Sequence, residues 1–455
     1  MNLLSIYYKF PIPLQNFTLS LYGFKLKTFR YNKKFKKTLK VIRERNQFSI
    51  NEMQELQDKM LQRIIKHAYE NVPFYHKQMD QLKIRPDMIK SIADLEKLPI
   101  ISKDDVKANI DAFHATNINR TKDNHTGGTT GSPLVIKTTN EEERYNFALY
   151  EVREKELFGV NTGLKTATFL GKKIVDPYAN KPPYWRKVSS LNQTMYSIYH
   201  MKNDTFKYYI DNLRKDPPVY ITGYVNPIYQ LAKYIIDNDI TPLKVKAIFV
   251  SSETLHTWQK EFIEKAFSCE VCNGYSQAEG VSFISSCRNG NLHVHPDYGV
   301  TEFIKVEGTE YYEIVGTTLF NYAMPLIRYR TKDYVIFDEK QRCECGLPYF
   351  PIVKEIVGRN DSSIKSPSGK VISSAALSLI FKHFPQIKET QLIQEDDYRI
   401  NVLLIIDGDI NDEFGRDFTE ELCSVIGEEF DIVLTKVELI PKSSSGKHKL
   451  IISKV

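Results

Sequence analysis

The 455-residue chain contains no apolar run approaching the ~18 residues that a membrane-spanning helix needs, so none is expected. Its first residues lack an apolar segment followed by a small-residue cleavage site, which argues against a secretory leader. Six cysteines are too few for the disulfide framework of a secreted domain, and the cytoplasm is the expected compartment. A net charge of +6 is too small to argue for nucleic acid, and no zinc-finger spacing, base-stacking module or long basic helix supports that partner. Internal repeats and low-complexity linkers are missing too. What remains is a globular chain, 42% hydrophobic and 26% charged, long enough for two or three domains with sizeable cores.

One further absence is local. Residues 125–133 read His125-Thr126-Gly127-Gly128-Thr129-Thr130-Gly131-Ser132-Pro133, and Ser132-Pro133 stands where a Walker A loop carries Lys-Ser/Thr. Glycine tolerates positive φ and leaves amide N–H groups uncovered, so such a loop can form an anion nest to which threonine hydroxyls add donors. Taken alone, it reads equally well as a phosphate cradle or as a polar turn.

Around this loop the chain alternates in texture. A helical period covers 51–69, and Ser102 reads as an N-cap after the extended entry at 98–101. Val135 to Thr138 reads as a strand that makes a hairpin around the loop, followed by a helix over 140–158. Strands at 166–170, 219–222 and 247–250 then alternate with helices at 203–214, 226–238 and 255–267, which argues for a substantially parallel sheet. From about residue 299 strands dominate, at 301–304, 311–315 and 334–337. The last hundred residues form an α+β pattern, with helices at 373–384 and 411–426 and strands at 389–394, 400–406 and 431–439. The expected fold class is α/β: a large N-terminal α/β domain with mostly parallel sheets plus a β-rich subdomain, then a small mobile α+β C-terminal domain. The expected boundaries are an N-terminal extension over 1–50, a large domain over 51–358 and a small lid domain over 359–455.

The extension places aromatic and apolar residues (Tyr7, Tyr8, Phe10, Leu14, Phe17, Leu21, Tyr22, Phe24) ahead of a basic tract in which Glu44 is the only acid. Contact of residues 1–45 with an anionic membrane surface is one reading. The plainer one has the aromatics packed on the body and the charges solvated, and the interruption of the helical pattern by Pro11 and Pro13 favours it.

Four more stretches fall in line with the glycine loop: Asn273-Gly274-Tyr275-Ser276-Gln277-Ala278-Glu279, Ile327-Arg328-Tyr329-Arg330-Thr331-Lys332-Asp333, Val357-Gly358-Arg359-Asn360-Asp361 and Pro441-Lys442-Ser443-Ser444-Ser445-Gly446-Lys447. In this order and spacing they resemble the adenylate-forming acyl/aryl ligase superfamily. The stretches Asn71-Val72-Pro73-Phe74-Tyr75 and Leu98-Pro99-Ile100-Ile101-Ser102-Lys103 point to its phenylacetate–coenzyme A ligase and CapK-like branch. The resemblance covers about residues 55–455, and the first fifty look like the extension of members from polysaccharide clusters.

The resemblance implies a role for each stretch. Thr126, Gly127, Gly128, Thr129 and Gly131 grip the ATP phosphates, and Thr130 with Glu279 holds Mg²⁺, a hard cation suited to oxygen ligands. Tyr275 and the backbone of Gly274, Ser252 and Glu253 border the adenine, where a flat ring offers a stacking face. Asp333 accepts hydrogen bonds from the ribose hydroxyls, and Arg359 contacts ribose or phosphate. The family usually has glycine before this aspartate, whereas this chain has Lys332. Asp361 is the hinge, and Lys447 is the catalytic cation at the α-phosphate. After adenylation the small domain turns, withdraws Lys447 and brings another face, around Ser368-Gly369-Lys370, toward the site.

A second signal is independent of the nucleotide. Cys287 and His293 are followed about fifty residues later by Cys343 and Cys345. Three thiolates and one imidazole satisfy tetrahedral Zn²⁺ and leave no place for water, so the expected site is structural. His295 is a rival ligand on spacing, and the resemblance favours His293. Cys269, Cys272 and Cys423 read as ordinary thiols.

The expected activity is therefore ATP-dependent conversion of a small carboxylic acid to an acyl-adenylate with release of pyrophosphate, then transfer to a thiol, most simply coenzyme A. Transfer to a carrier protein, an amino sugar or a glycan is the alternative, in the service of surface polysaccharide assembly. A non-catalytic nucleotide-binding partner of such machinery is a third reading, and a homodimer is compatible with all three.

Overall fold

The computed structural model describes residues 3–125, 134–337, 343–347, 351–359, 363–367, 371–373, 377, 380, 383–384, 386–441 and 448–455. Twelve strands of these residues form one mixed sheet. Its middle is parallel: Gln193–Ser197, Thr166–Leu170, Tyr220–Gly223, Ala247–Ser251 and Glu270–Ser276 lie side by side. The helices Asn203–Lys215, Val225–Asp237 and Thr257–Phe267 connect them and bury Tyr209, Ile228, Leu231 and Phe267. These strands carry apolar residues on both faces, as a covered parallel sheet requires.

Beyond Glu270–Ser276 the pairing turns antiparallel, through Phe283–Ser286, Leu292–Val294, Ile352–Arg359, Tyr329–Phe337, Tyr311–Thr318 and Gly299–Lys305. The β-rich part expected from the sequence thus continues the same sheet. A hairpin stands apart, with Lys122–His125 paired antiparallel to Val135–Thr138 around residues 126–133. A separate four-stranded sheet (Asp431–Lys436, Arg399–Ile406, Ile387–Gln394, Ile451–Ser453) packs on the helix Asp412–Ile426. It has its own core of Leu392, Val402, Phe418, Leu422 and Ile451. The helix expected at 373–384 lies mostly outside the described residues.

Local chemistry fixes the entry to the site. Thr139 caps the helix Asn140–Tyr150, accepting from Glu142 N, while the Glu142 carboxylate also accepts from Tyr322 N at 2.7 Å and Ala323 N at 3.1 Å. The helix expected over 140–158 is not uniform: Glu151–Lys155 is a π-turn, and Glu156–Phe158 tightens before Gly159 ends it at φ 68°. Ser102 does cap a helix, Lys103–Ala108, reciprocally with Asp105.

The N-terminal segment departs from its plainer reading. Pro11 and Pro13 fall at a break between the helices Leu3–Tyr8 and Ile12–Arg30, as expected, and they also open the second, because its first turn needs no N–H donors there. Only its inner face meets the body. Gln15 is buried, and Gly23 lies so close to Val188 and Ser190 that a Cβ would overlap them. Phe17, Leu21, Tyr22 and Phe24 are exposed. The basic residues divide between the two roles. Arg30 and Arg43 pair with Glu143 and Glu156, Arg45 reaches buried Asp297 at 3.2 Å, and Lys33, Lys34, Lys36, Lys37 and Lys40 stay in solvent.

Candidate functional site

At the C-terminal ends of the parallel strands lies a cleft of about 580 Å³, the position where open α/β sheets bind ligands. Six residues singled out in the sequence line it: Ser252, Glu253, Gly274, Tyr275, Glu279 and Asp333. Ser252 follows the strand Ala247–Ser251 and turns the chain at φ 70°. Tyr275 donates its hydroxyl to Asp333 Oδ2 at 2.8 Å. Burial, then the adjacent Asp333 carboxylate, pushes the Tyr275 phenol well above its ordinary range, so it stays a neutral donor. Asp333 N donates to Thr331 Oγ1 at 3.0 Å, and Lys332 between them adopts φ 60°. The residue that departs from glycine thus occupies a left-handed position that glycine would take at lower cost. Arg359 faces Asp333 across the paired strands Tyr329–Phe337 and Ile352–Arg359. Glu279 is buried and accepts from Tyr329 Oη at 3.2 Å.

The cleft's other wall comes from the helix Val225–Asp237 and from the C-terminal four-stranded unit. Glu253 Oε2 accepts from Asn226 N at 2.8 Å, and its Oε1 accepts from His448 N at 3.0 Å. Glu389 gathers Gln230 Nε2 at 2.7 Å, Asn226 Nδ2 at 3.2 Å and the His448 ring at 2.9 Å. Sequence reading missed Asn226, Glu389 and His448, which lie far apart in the chain and share no motif. The only available signal was the position of His448, directly after Lys447. On the same wall, burial pushes His256 down to about 4, so a neutral ring faces the cleft.

The expected Thr126, Gly127, Gly128, Thr129, Thr130, Gly131, Asp361 and Lys447, with Ser368-Gly369-Lys370, lie outside the described residues; for Arg359 the backbone alone is described.

The cysteine–histidine set does come together. Cys287, His293, Cys343 and Cys345 present ligand atoms within 4.8 Å of one another. Cys287 Sγ and Cys343 Sγ are 3.7 Å apart, and Cys345 Sγ lies 3.3 Å from His293 Nε2. Four bonds of ~2.3 Å in a tetrahedron place sulfurs about 3.8 Å apart, so the donor set fits a zinc-sized ion. Asn291 Nδ2 points at Cys343 Sγ at 3.1 Å, a contact suited to a thiolate. The rival His295 is engaged elsewhere, with Ser285 Oγ at 2.8 Å. Cys269, Cys272 and Cys423 are free thiols.

Comparison with known proteins bears on the family and the fold. A family model described as the CapK C-terminal domain matches residues 364–454. Protein CapK of Staphylococcus aureus is 30% identical over 456 residues, covering 99% of each chain. The phenylacetate–coenzyme A ligase of Escherichia coli strain K12 is 24% identical over 63% of this chain and 67% of its own length. Among solved structures, 2-hydroxyisobutyryl-CoA ligase in the postadenylation state with 2-HIB-AMP superposes with a TM-score of 0.68 at 17% identity, covering 88% of this chain and 89% of that one. The same ligase in its thioesterification state gives 0.54 at 18% identity, covering 90% and 91%. These structural likenesses establish the fold.

Proposed function

The chain belongs to the CapK branch of the adenylate-forming acyl/aryl ligases, and on that premise we propose that it is an AMP-forming acid–thiol ligase. It activates a small carboxylic acid with ATP and passes the acyl group to a thiol, most simply that of coenzyme A. The observation that carries this reading is the meeting of Glu253, Tyr275, Glu279 and Asp333 at one cleft, with Arg359 on the strand opposite Asp333.

In the first step a carboxylate oxygen of the acid attacks the α-phosphorus of ATP, and the bond to the bridging oxygen breaks to release pyrophosphate. Asp333, held by Tyr275, binds the ribose, and Arg359 contacts ribose or phosphate. Ser252, Glu253, Gly274 and Tyr275 border the base. The loop of Thr126, Gly127, Gly128, Thr129 and Gly131 holds the departing phosphates. Glu279 and Thr130 would hold Mg²⁺, which would supply charge neutralisation on those phosphates. Lys447 bridges the attacking carboxylate and the α-phosphate, where charge accumulates in the transition state. His448 N on Glu253 supports this role, since it ties the residue after Lys447 to the cleft.

In the second step the acceptor sulfur attacks the acyl carbon and AMP leaves with its phosphate oxygen. The division into 1–50, 51–358 and 359–455, with Asp361 as hinge and Ser368-Gly369-Lys370 turning inward, supplies the two settings these steps need. The separate core of the four-stranded unit and the family match over 364–454 support that division. Cys287, His293, Cys343 and Cys345 would hold a structural Zn²⁺, with no position left for water.

The protein acts in the cytoplasm. A second version of the transfer, to an amino sugar or glycan at a membrane in surface polysaccharide assembly, is favoured by the exposed apolar face of Ile12–Arg30 and the exposed lysines after it. The same face would serve a homodimer. Among the described residues no helix is long and apolar enough to cross a membrane. The test is pyrophosphate release from ATP and Mg²⁺ across aryl, fatty, hydroxy and amino acids, with and without coenzyme A. Release that depends on the acid is expected, and release from none of them overturns the proposal.

A further inference from the structure

The helical passage that begins at Asn140 runs along the strand Glu270–Ser276, over the face that carries residues 272, 274 and 276. Three contacts mark its path. Tyr150 Oη donates to Ser276 Oγ at 2.9 Å, the Glu154 Oε1 occupies the place a Cβ on Gly274 would take, and Phe158 packs with Cys272. Asn146, Tyr150 and Glu154 follow at four-residue spacing and so share one helix face. The first two line the cleft, and Glu154 lies one turn, about 6 Å, farther in. The π-turn at Glu151–Lys155 is where Glu154 is aimed at the strand, and such turns recur at functional sites.

The other charged groups of this turn are all committed. Glu151 accepts from Thr162 N, and Lys155 Nζ bridges Glu151 at 3.2 Å and Thr162 Oγ1 at 2.8 Å. Arg153 donates to Asp297 at 2.9 Å. Glu154 is half-buried and makes no hydrogen bond or ion pair among the described residues, and Asn146 Oδ1, on the same face, is a buried acceptor with no partner among them. Burial pushes the Glu154 carboxyl up to about 7, with Lys155 opposing. Leaving Asn146 Oδ1 unpaired is costly, and a carboxyl with no partner beside it holds space that an apolar side chain would fill more cheaply. Gly274 makes the matching concession, since any side chain there would displace the carboxyl.

We propose that Glu154 sets the specificity of the acyl pocket: it hydrogen-bonds a hydroxyl or amine on the tail of the acid, so the substrate is a hydroxy- or amino-substituted carboxylic acid. The inference rests on the ligase reading and names the class of acid within it. A site built to pair a substrate donor rejects the analogue that lacks it, because its own acceptor is then stranded. Glu154 can take up a proton, which softens that penalty, and discrimination of roughly a hundredfold is the scale to expect.

The test uses the full-length protein with ATP and Mg²⁺. Pyrophosphate release is measured for sets of acids that share one carbon skeleton and differ in a hydrogen, hydroxyl or amine at the tail. Wild type should favour the hydroxyl or the amine member in kcat/KM by about a hundredfold, and which of the two wins identifies the donor. Glu154→Gln keeps a carbonyl acceptor and should keep the hydroxyl preference while weakening any preference for a cationic amine. Glu154→Leu should shift the ranking toward the unsubstituted acid. An unsubstituted acid preferred by wild type, or a ranking unchanged in both variants, overturns the inference while the ligase reading stands. Release from no acid at all brings down the ligase reading and the inference with it. If Glu154→Leu fails to fold, the Gln variant and the wild-type ranking decide.

Discussion

Glu389→Ala removes the group that ties the C-terminal unit to the helix Val225–Asp237. Glu389 holds Gln230, Asn226 and the His448 ring at 2.7, 3.2 and 2.9 Å, and the His448 and Glu389 side chains are only 12% and 8% exposed. A hydrogen bond to a charged group contributes about 1.5–3 kcal/mol; the two amide hydrogen bonds and the contact with the His448 ring share one carboxylate and do not add. The link from Glu253 to His448 N survives. A loss of about 2–3 kcal/mol from the docked arrangement follows, equivalent to roughly 30- to 150-fold in its population. If Lys447 acts only when His448 is seated here, acid-dependent exchange of pyrophosphate into ATP falls by up to that factor. Single-turnover release of AMP from preformed adenylate and thiol should not slow, because that step needs the unit turned away. Equal slowing of both half-reactions, or of neither, with an unchanged melting curve would refute the idea that Glu389 positions the lid for adenylation alone.

Metal analysis of purified protein should find one zinc per chain, and Cys343→Ser should lower both the zinc content and the melting temperature without abolishing ATP binding. Less than one zinc after purification counts against the site formed by Cys287, His293, Cys343 and Cys345. Lys332→Gly relieves a left-handed residue at φ 60° and should raise the unfolding free energy by about 0.5–1 kcal/mol in a denaturant titration, since the relief exceeds the added chain entropy. A destabilised variant would mean that the Lys332 side chain contributes through contacts of its own. Replacing Phe17, Leu21 and Phe24 together by serine should abolish sedimentation with anionic phosphatidylglycerol vesicles and leave the melting temperature within a degree or two, because these side chains are exposed. Unchanged vesicle binding would refute the membrane contact, and a dimer that dissociates in the variant would assign the face to self-association.

Much of this architecture was legible because it rests on short-range signals. The alternation of apolar runs with helical periods marked Thr166–Leu170 and Ala247–Ser251 to within a residue, and Ser102 after its extended entry marked a cap. The set Tyr275, Glu279 and Asp333 could be found because each sits in a stretch of recognisable order. What stayed hidden was of two kinds. The prolines at 11 and 13 were read as breakers, which holds after Leu3–Tyr8; that they also open Ile12–Arg30 depends on where that helix begins, and the sequence did not say. Asn226, Glu389 and His448 meet only through tertiary packing, as do Glu154 and Gly274, whose fit depends on a π-turn no local period announces. The lone lysine where glycine was expected was visible, but its left-handed backbone was not.

The central claim is that this chain adenylates a carboxylic acid with Lys447 as the cation at the α-phosphate. The most direct measurement is acid-dependent pyrophosphate release by wild type and Lys447→Ala, with ATP binding followed in both. The account predicts release by wild type, ATP binding in both proteins, and a loss of about 2–4 kcal/mol of transition-state stabilisation, roughly 30- to 1,000-fold in rate, in the variant. Full adenylation by Lys447→Ala would contradict it.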